Sequence, residues 1–81
     1  MKASQLTKIK ELRTLYRDLN KMTPWKDYRG KLEAIQNECG EHQIPTHLVM
    51  MEQKVFELIL EKSGLLDCYH AVEMHLMTTS K

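Results

Sequence analysis

The chain is predicted to be all-α, a small bundle of about four helices with short connections. Apolar residues recur at helical spacing along its whole length, and both prolines and two of the three glycines fall between those periodic stretches. At 81 residues there is room for one domain, 1–81, and one modest core. A hydrophobic fraction of 42% and a charged fraction of 28% are those of a globular chain.

In the first helix Ile9, Leu12, Leu15, Tyr16 and Leu19 fall on one face, and Lys10, Arg13, Arg17 and Lys21 are read as lining the opposite one. Pro24 disfavours helical geometry at Thr23 and ends this helix near Asn20 or Lys21. Thr23 as N-cap and Pro24 at the first helical position then open the second helix. Trp25, Tyr28, Leu32, Ile35 and Cys39 form its seam. Gly30 points to close helix packing, and Gly40 is placed just past the C-terminus.

Pro45 is expected to open a third helix running unbroken to about Lys62, where Ser63 and Gly64 stop it. Its main stripe is Leu48, Met51, Val55, Leu58 and Ile59, widened by Val49, Phe56 and Leu60. Being apolar on several sides, it is expected to be the central helix. A fourth helix from Leu66 to about Met77 sets Leu65, Tyr69, Val72 and Leu76 on one side, with "TTSK" as a frayed tail.

The net charge of +1 conceals a division. Residues 1–33 carry nine Lys or Arg against four acids; residues 34–81 carry three lysines against seven acids. Such asymmetry governs association more than fold. The longest apolar runs are four residues or fewer, far short of the ~20 that a membrane span needs. The N-terminal "MKASQLTKIKELRTLY" has no apolar signal-peptide region. Two cysteines, Cys39 and Cys68, without close pairing fit a reducing compartment, so a cytoplasmic location is expected.

The stretch "DCYHAVEMHLM" collects Cys68, His70, Glu73 and His75. On a helix Cys68 and His75 stand ~10.5 Å apart along the axis, too far to hold one ion. Adding Cys39, His42 and His47 from "CGEHQIPTH" supplies only one close pair, so no metal or other cofactor is expected, and both cysteines are read as small core residues. No phosphate loop and no nucleophile–base–orienter set is recognisable, so no catalytic residues are assigned and the chain is read as non-enzymatic.

Protein–protein interaction remains as the function class. The basic stripe Lys10, Arg13, Arg17 and Lys21, with Met50, Met51, Met74 and Met77 as adaptable apolar contacts, is the candidate partner-binding set. A homodimer is also expected, since a core this small rarely supplies more than ~3–5 kcal/mol alone. The alternative is a small nucleic-acid-binding transcriptional regulator using the basic first helix. Nucleic acid is the less favoured partner, because a helix-turn-helix reading gives the recognition helix three glutamates, Glu52, Glu57 and Glu61.

At "MMEQKVFELILEKSGLLDCYHAVEMHL", together with "KELRTLYRDLNKMTPWKDYR", the chain resembles the RIII-type lysis-inhibition accessory proteins, the cytoplasmic antiholins of T-even bacteriophages. The resemblance rests on size and helical texture and contains no diagnostic motif, so it carries over no functional residues. It implies an α-helical regulator in the host cytoplasm that binds the cytoplasmic segment of the phage holin and delays host lysis by stoichiometric binding.

Overall fold

The computed structural model describes the backbone of residues 2–22 and 24–79, and the side chains of all of these except 22 and 76–79. Among the described residues the structure is helical throughout, without strands. A 3-10 turn (Ala3–Gln5) leads into α1 (Leu6–Met22); α2 (Trp25–Glu41), α3 (Thr46–Met50), α4 (Gln53–Lys62) and α5 (Leu66–Thr79) follow.

The 3-10 turn ties the N-terminus to the far end of α2. Gln5 Oε1 accepts from the Lys2 amide at 3.0 Å, while Gln5 Nε2 donates to the carbonyls of His42 and Gln43 at 3.0 and 3.3 Å. This seats Leu6 in the core beside Ile9, Leu12 and Leu19. Leu15, expected in that stripe, is 50% exposed.

Pro24 and Pro45 each sit one position before the helix, in extended geometry, rather than inside its first turn. Their carbonyls accept the first helical bonds, from Asp27 and Tyr28 and from Leu48 respectively. Thr23, read as an N-cap, lies outside the described residues.

Helix α2 also runs through Gly40 instead of stopping before it. The left-handed residue is Gln43, φ 57°. Its amide reaches back to the Gly40 carbonyl at 3.2 Å, and the Ile44 amide reaches the Cys39 carbonyl at 2.8 Å. That pairing is a Schellman motif, with buried Ile44 supplying the apolar contact beyond it. Gln5, bonded to the carbonyls of both turn residues, steadies a conformation that glycine would adopt more readily. At the end of α4 a glycine does take this role: Gly64, φ 72°, with Leu65 bonded back to Leu60 at 2.9 Å. Gly30 marks no close packing, since a Cβ there would meet nothing within 4 Å.

The third predicted helix is in fact two. Met51 and Glu52 are extended, with ψ of 160° and 152°, and divide α3 from α4. Leu48 and Val49 of α3 and Phe56 and Leu60 of α4 enter the core, while Val55 and Leu58 are exposed and Met51 and Ile59 only half-buried. The buried set is Leu48 with the side that was expected to widen the stripe, Val49, Phe56 and Leu60, and the main-stripe members Val55 and Leu58 are left outside.

The central element is α1, which packs against α2, α3 and α5, while α4 packs on α5. Phe56 meets Tyr69 of α5 edge-on, with ring centroids 5.0 Å apart. Leu65 and Val72 flank Tyr69 as expected, and the Leu76 side chain lies outside the described residues. Helix α5 continues to Thr79, two residues into the stretch read as tail.

Candidate binding surfaces

The basic stripe of α1 does not form one solvent face. Arg13 is 5% exposed. Its Nη1 donates to the Leu48 carbonyl at 2.7 Å, its Nη2 to Gln53 Oε1 at 3.1 Å, and its Cζ lies 4.0 Å above the Phe56 ring. The guanidinium therefore straddles the α3–α4 break: it satisfies a carbonyl left over where α3 ends and holds the first residue of α4. Burial pushes its pKa down from the ordinary arginine value, but a guanidinium remains charged at any physiological pH. Lys10 turns to α5 and pairs with Glu73 at 3.6 Å. Arg17 and Lys21 remain exposed.

Three members of the stripe do share a cleft. Arg13, Arg17 and Lys21, with Tyr16 and Asn20, form its α1 wall, and Val49, Met51 and Gln53 form the wall across the α3–α4 break. Its volume is about 260 Å³. Of the methionines singled out, Met51 lies in this cleft, Met50 is half-buried beside it on α3, and Met74 is exposed on α5. The Met77 side chain lies outside the described residues.

A second concavity was not legible in the sequence. Between α1 and α2 runs an open groove of about 470 Å³ whose apolar lining is Leu15, Leu19, Pro24, Ala34 and Ile35, with Asp18, Lys31 and Glu38 around it. At the start of α2 Trp25, 85% exposed, stacks on Tyr28 at 5.6 Å. Glu38 is also bonded to Lys8 of α1 at 2.8 Å; that bond raises the Lys8 pKa and lowers that of Glu38. Leu15 and Trp25 each fit their helix's apolar pattern, and only the arrangement of the helices shows that the one is left half exposed and the other largely so.

Of the two cysteines, Cys39 is buried and Cys68 exposed, so the core reading holds for the first alone. Burial raises the Cys39 thiol pKa, which keeps it protonated. Among the described residues, no three of the His, Cys, Asp and Glu side chains are grouped to hold a metal ion. Among the described residues no helix is long and apolar enough to cross a membrane.

Tyr69 is the strongly perturbed group. Burial pushes its phenol up to about 12, with the Glu73 carboxylate adding to the effect. The folded state therefore holds the neutral phenol more firmly than the unfolded chain does. Tyr69 contributes stability in full below pH ~10 and loses it progressively as pH rises toward 12, roughly 2–3 kcal/mol in all. Urea titrations at pH 8 and pH 11 should show this loss in the native protein and a much smaller one in Tyr69→Phe; equal losses would place the alkaline transition elsewhere.

The chain matches no protein-family model, no curated protein and no solved structure.

Proposed function

We propose that this is a small non-enzymatic regulatory protein that acts by binding another protein. In line with the resemblance to T-even antiholins, the partner is the cytoplasmic segment of a phage holin and the outcome is delayed lysis. The observation that carries the reading is the uncovered apolar groove between α1 and α2. Leu15 is half exposed beside buried Leu19 and Ile35, and the core comprises a dozen buried apolar residues among those described. An exposed apolar groove rimmed by polar residues is one form that interaction sites take. An amphipathic helix laid between two helices is a recurring way to fill such a groove.

Self-association belongs to the same proposal, because a small core leaves a chain dependent on a second subunit. Part of the opposed charge is already used within one chain, in Lys8–Glu38 and Lys10–Glu73, so apolar contact supplies the greater part of any dimer interface. The nucleic-acid alternative relies on four cations of α1. With Arg13 buried and Lys10 paired, two are left to meet phosphates, which weakens that reading.

The single tryptophan, at the edge of α2, reports on the binding. Titration with a peptide of a T-even holin's cytoplasmic segment should change Trp25 emission saturably. Leu15→Glu should weaken that binding at least tenfold while the melting temperature changes little. Sedimentation equilibrium at micromolar concentration should give a dimer mass. Unchanged affinity in Leu15→Glu would remove the groove from the reading, and a mass near 9.6 kDa would remove the dimer.

A further inference from the structure

We infer that the cleft at the α3–α4 break is an anion-binding site that takes a phosphate group. Arg13, Arg17 and Lys21 follow one another at i, i+4 and i+8 along α1, an arrangement that sets like charges beside one another at a cost in helix stability. Neither the cleft's α1 wall nor the facing wall of Val49, Met51 and Gln53 contains a carboxylate. Among the described residues, Arg13, Arg17 and Lys21 make no ion pair.

Arg13 is the second, independent observation. A buried cation is ordinarily matched by a counter-charge, because desolvating an unpaired ion costs several kcal/mol. Here its hydrogen bonds go to neutral groups, the Leu48 carbonyl and the Gln53 amide with the Tyr69 phenol beside them, and among the described residues its Nε–H has no acceptor. The Phe56 face and the neighbouring Tyr69 offset part of the charge. Glu57 contributes a weak attraction, but its carboxylate is held by Gln53 Nε2 at 3.0 Å. Arg17, one turn further along, opposes it.

The opposite wall adds a favourable field. Gln53 is the first residue of α4, a ten-residue helix whose N-terminus has no side-chain cap. Its first-turn amides and helix dipole favour an anion there, with Glu52 as the one acid at that end. Arg17 supplies a planar fork and Lys21 a mobile point charge, a pairing suited to a multiply charged tetrahedral oxyanion. A volume of about 260 Å³ accommodates a phosphate group with a few waters of ~30 Å³ each.

The test is a ¹H–¹⁵N titration of the full chain with inorganic phosphate, a monoalkyl phosphate and pyrophosphate, at constant ionic strength set with sodium chloride. Saturable shifts are expected at the amides of Arg17, Lys21, Met51 and Gln53. Preference among the three probes separates a free ion from an esterified or diphosphate ligand. The double variant Arg17→Gln/Lys21→Gln should bind at least tenfold more weakly with its unliganded melting temperature unchanged, and Lys31→Gln on α2 should bind normally. Linear shifts identical to those of chloride, undiminished binding in the double variant, or saturation by a glutamate-rich peptide with none by phosphate would each overturn the assignment.

Discussion

Phe56→Ala should lose about 3–5 kcal/mol of folding stability, the range for a large aromatic removed from a packed interior. Phe56 is fully buried, edge-on to Tyr69, with the Arg13 guanidinium over its face. Truncation therefore leaves a cavity and removes two oriented aromatic contacts at once. Domains of this size have total stabilities on the order of 4–12 kcal/mol, so the variant should be largely unfolded by modest urea. The control is Leu58→Ala on the same helix, 57% exposed, which should stay within about 0.5 kcal/mol of the parent. In one continuous helix from Pro45 to Lys62 with the stripe Leu48, Met51, Val55, Leu58 and Ile59, Leu58 would be the costly residue. Urea unfolding of the two variants followed by circular dichroism therefore tests which side of α4 faces the core. A larger loss in Leu58→Ala than in Phe56→Ala would refute that orientation.

Arg13→Ala should cost about 2–4 kcal/mol, far more than a surface arginine. The Leu48 carbonyl would lose its side-chain donor at the break, a buried acceptor worth ~1–3 kcal/mol when unsatisfied. The ring contact with Phe56 is worth up to ~2 kcal/mol when desolvated. The buried alkyl stem adds its packing. Arg13→Met separates these effects, because it keeps the stem and removes a charge that has no ionic partner among the described residues. Relief of that desolvation should make the methionine variant at least ~1 kcal/mol more stable than the alanine variant. Arg17→Gln, at an exposed position, should be close to neutral. Because Arg13 and Phe56 touch, their losses should not add, and a double-mutant cycle measures the shortfall. Equal destabilisation in Arg13→Met and Arg13→Ala would mean that the charge, rather than the stem, holds the break.

The burial of Arg13 had a trace in the chain that depends on where the first helix starts. At 100° per residue Arg13 projects between Ile9 and Leu6. With the stripe begun at Ile9, Arg13 falls with Lys10, Arg17 and Lys21 on the polar side. Once Leu6 is a core residue, Arg13 lies inside the apolar arc. Leu6 owes its burial to Gln5, whose amide bridges to His42 and Gln43 some 37 residues away. No local pattern announces such a bond. The left-handed turn at Gln43 is equally hidden, because glycine three residues earlier is the stronger local signal.

The amino-acid sequence by itself determined the all-helical class, the helices α1, α2 and α5, the position of every connection but one, and the inward face of α5 around Tyr69. Those features follow from periodicity, proline and glycine, which act over a few residues. Tertiary structure alone decided the break at Met51–Glu52, where neither proline nor glycine stands, and the exposure of Val55 and Leu58 beside buried Val49 and Phe56. It also decided that α1 is central, that Leu15 is left at an open groove, and that Arg13 is buried while Arg17 and Lys21 are not. The physical reason is the same in each case. A helix face is chosen locally, but what covers it, and which backbone groups it must satisfy, depends on partners distant in the chain.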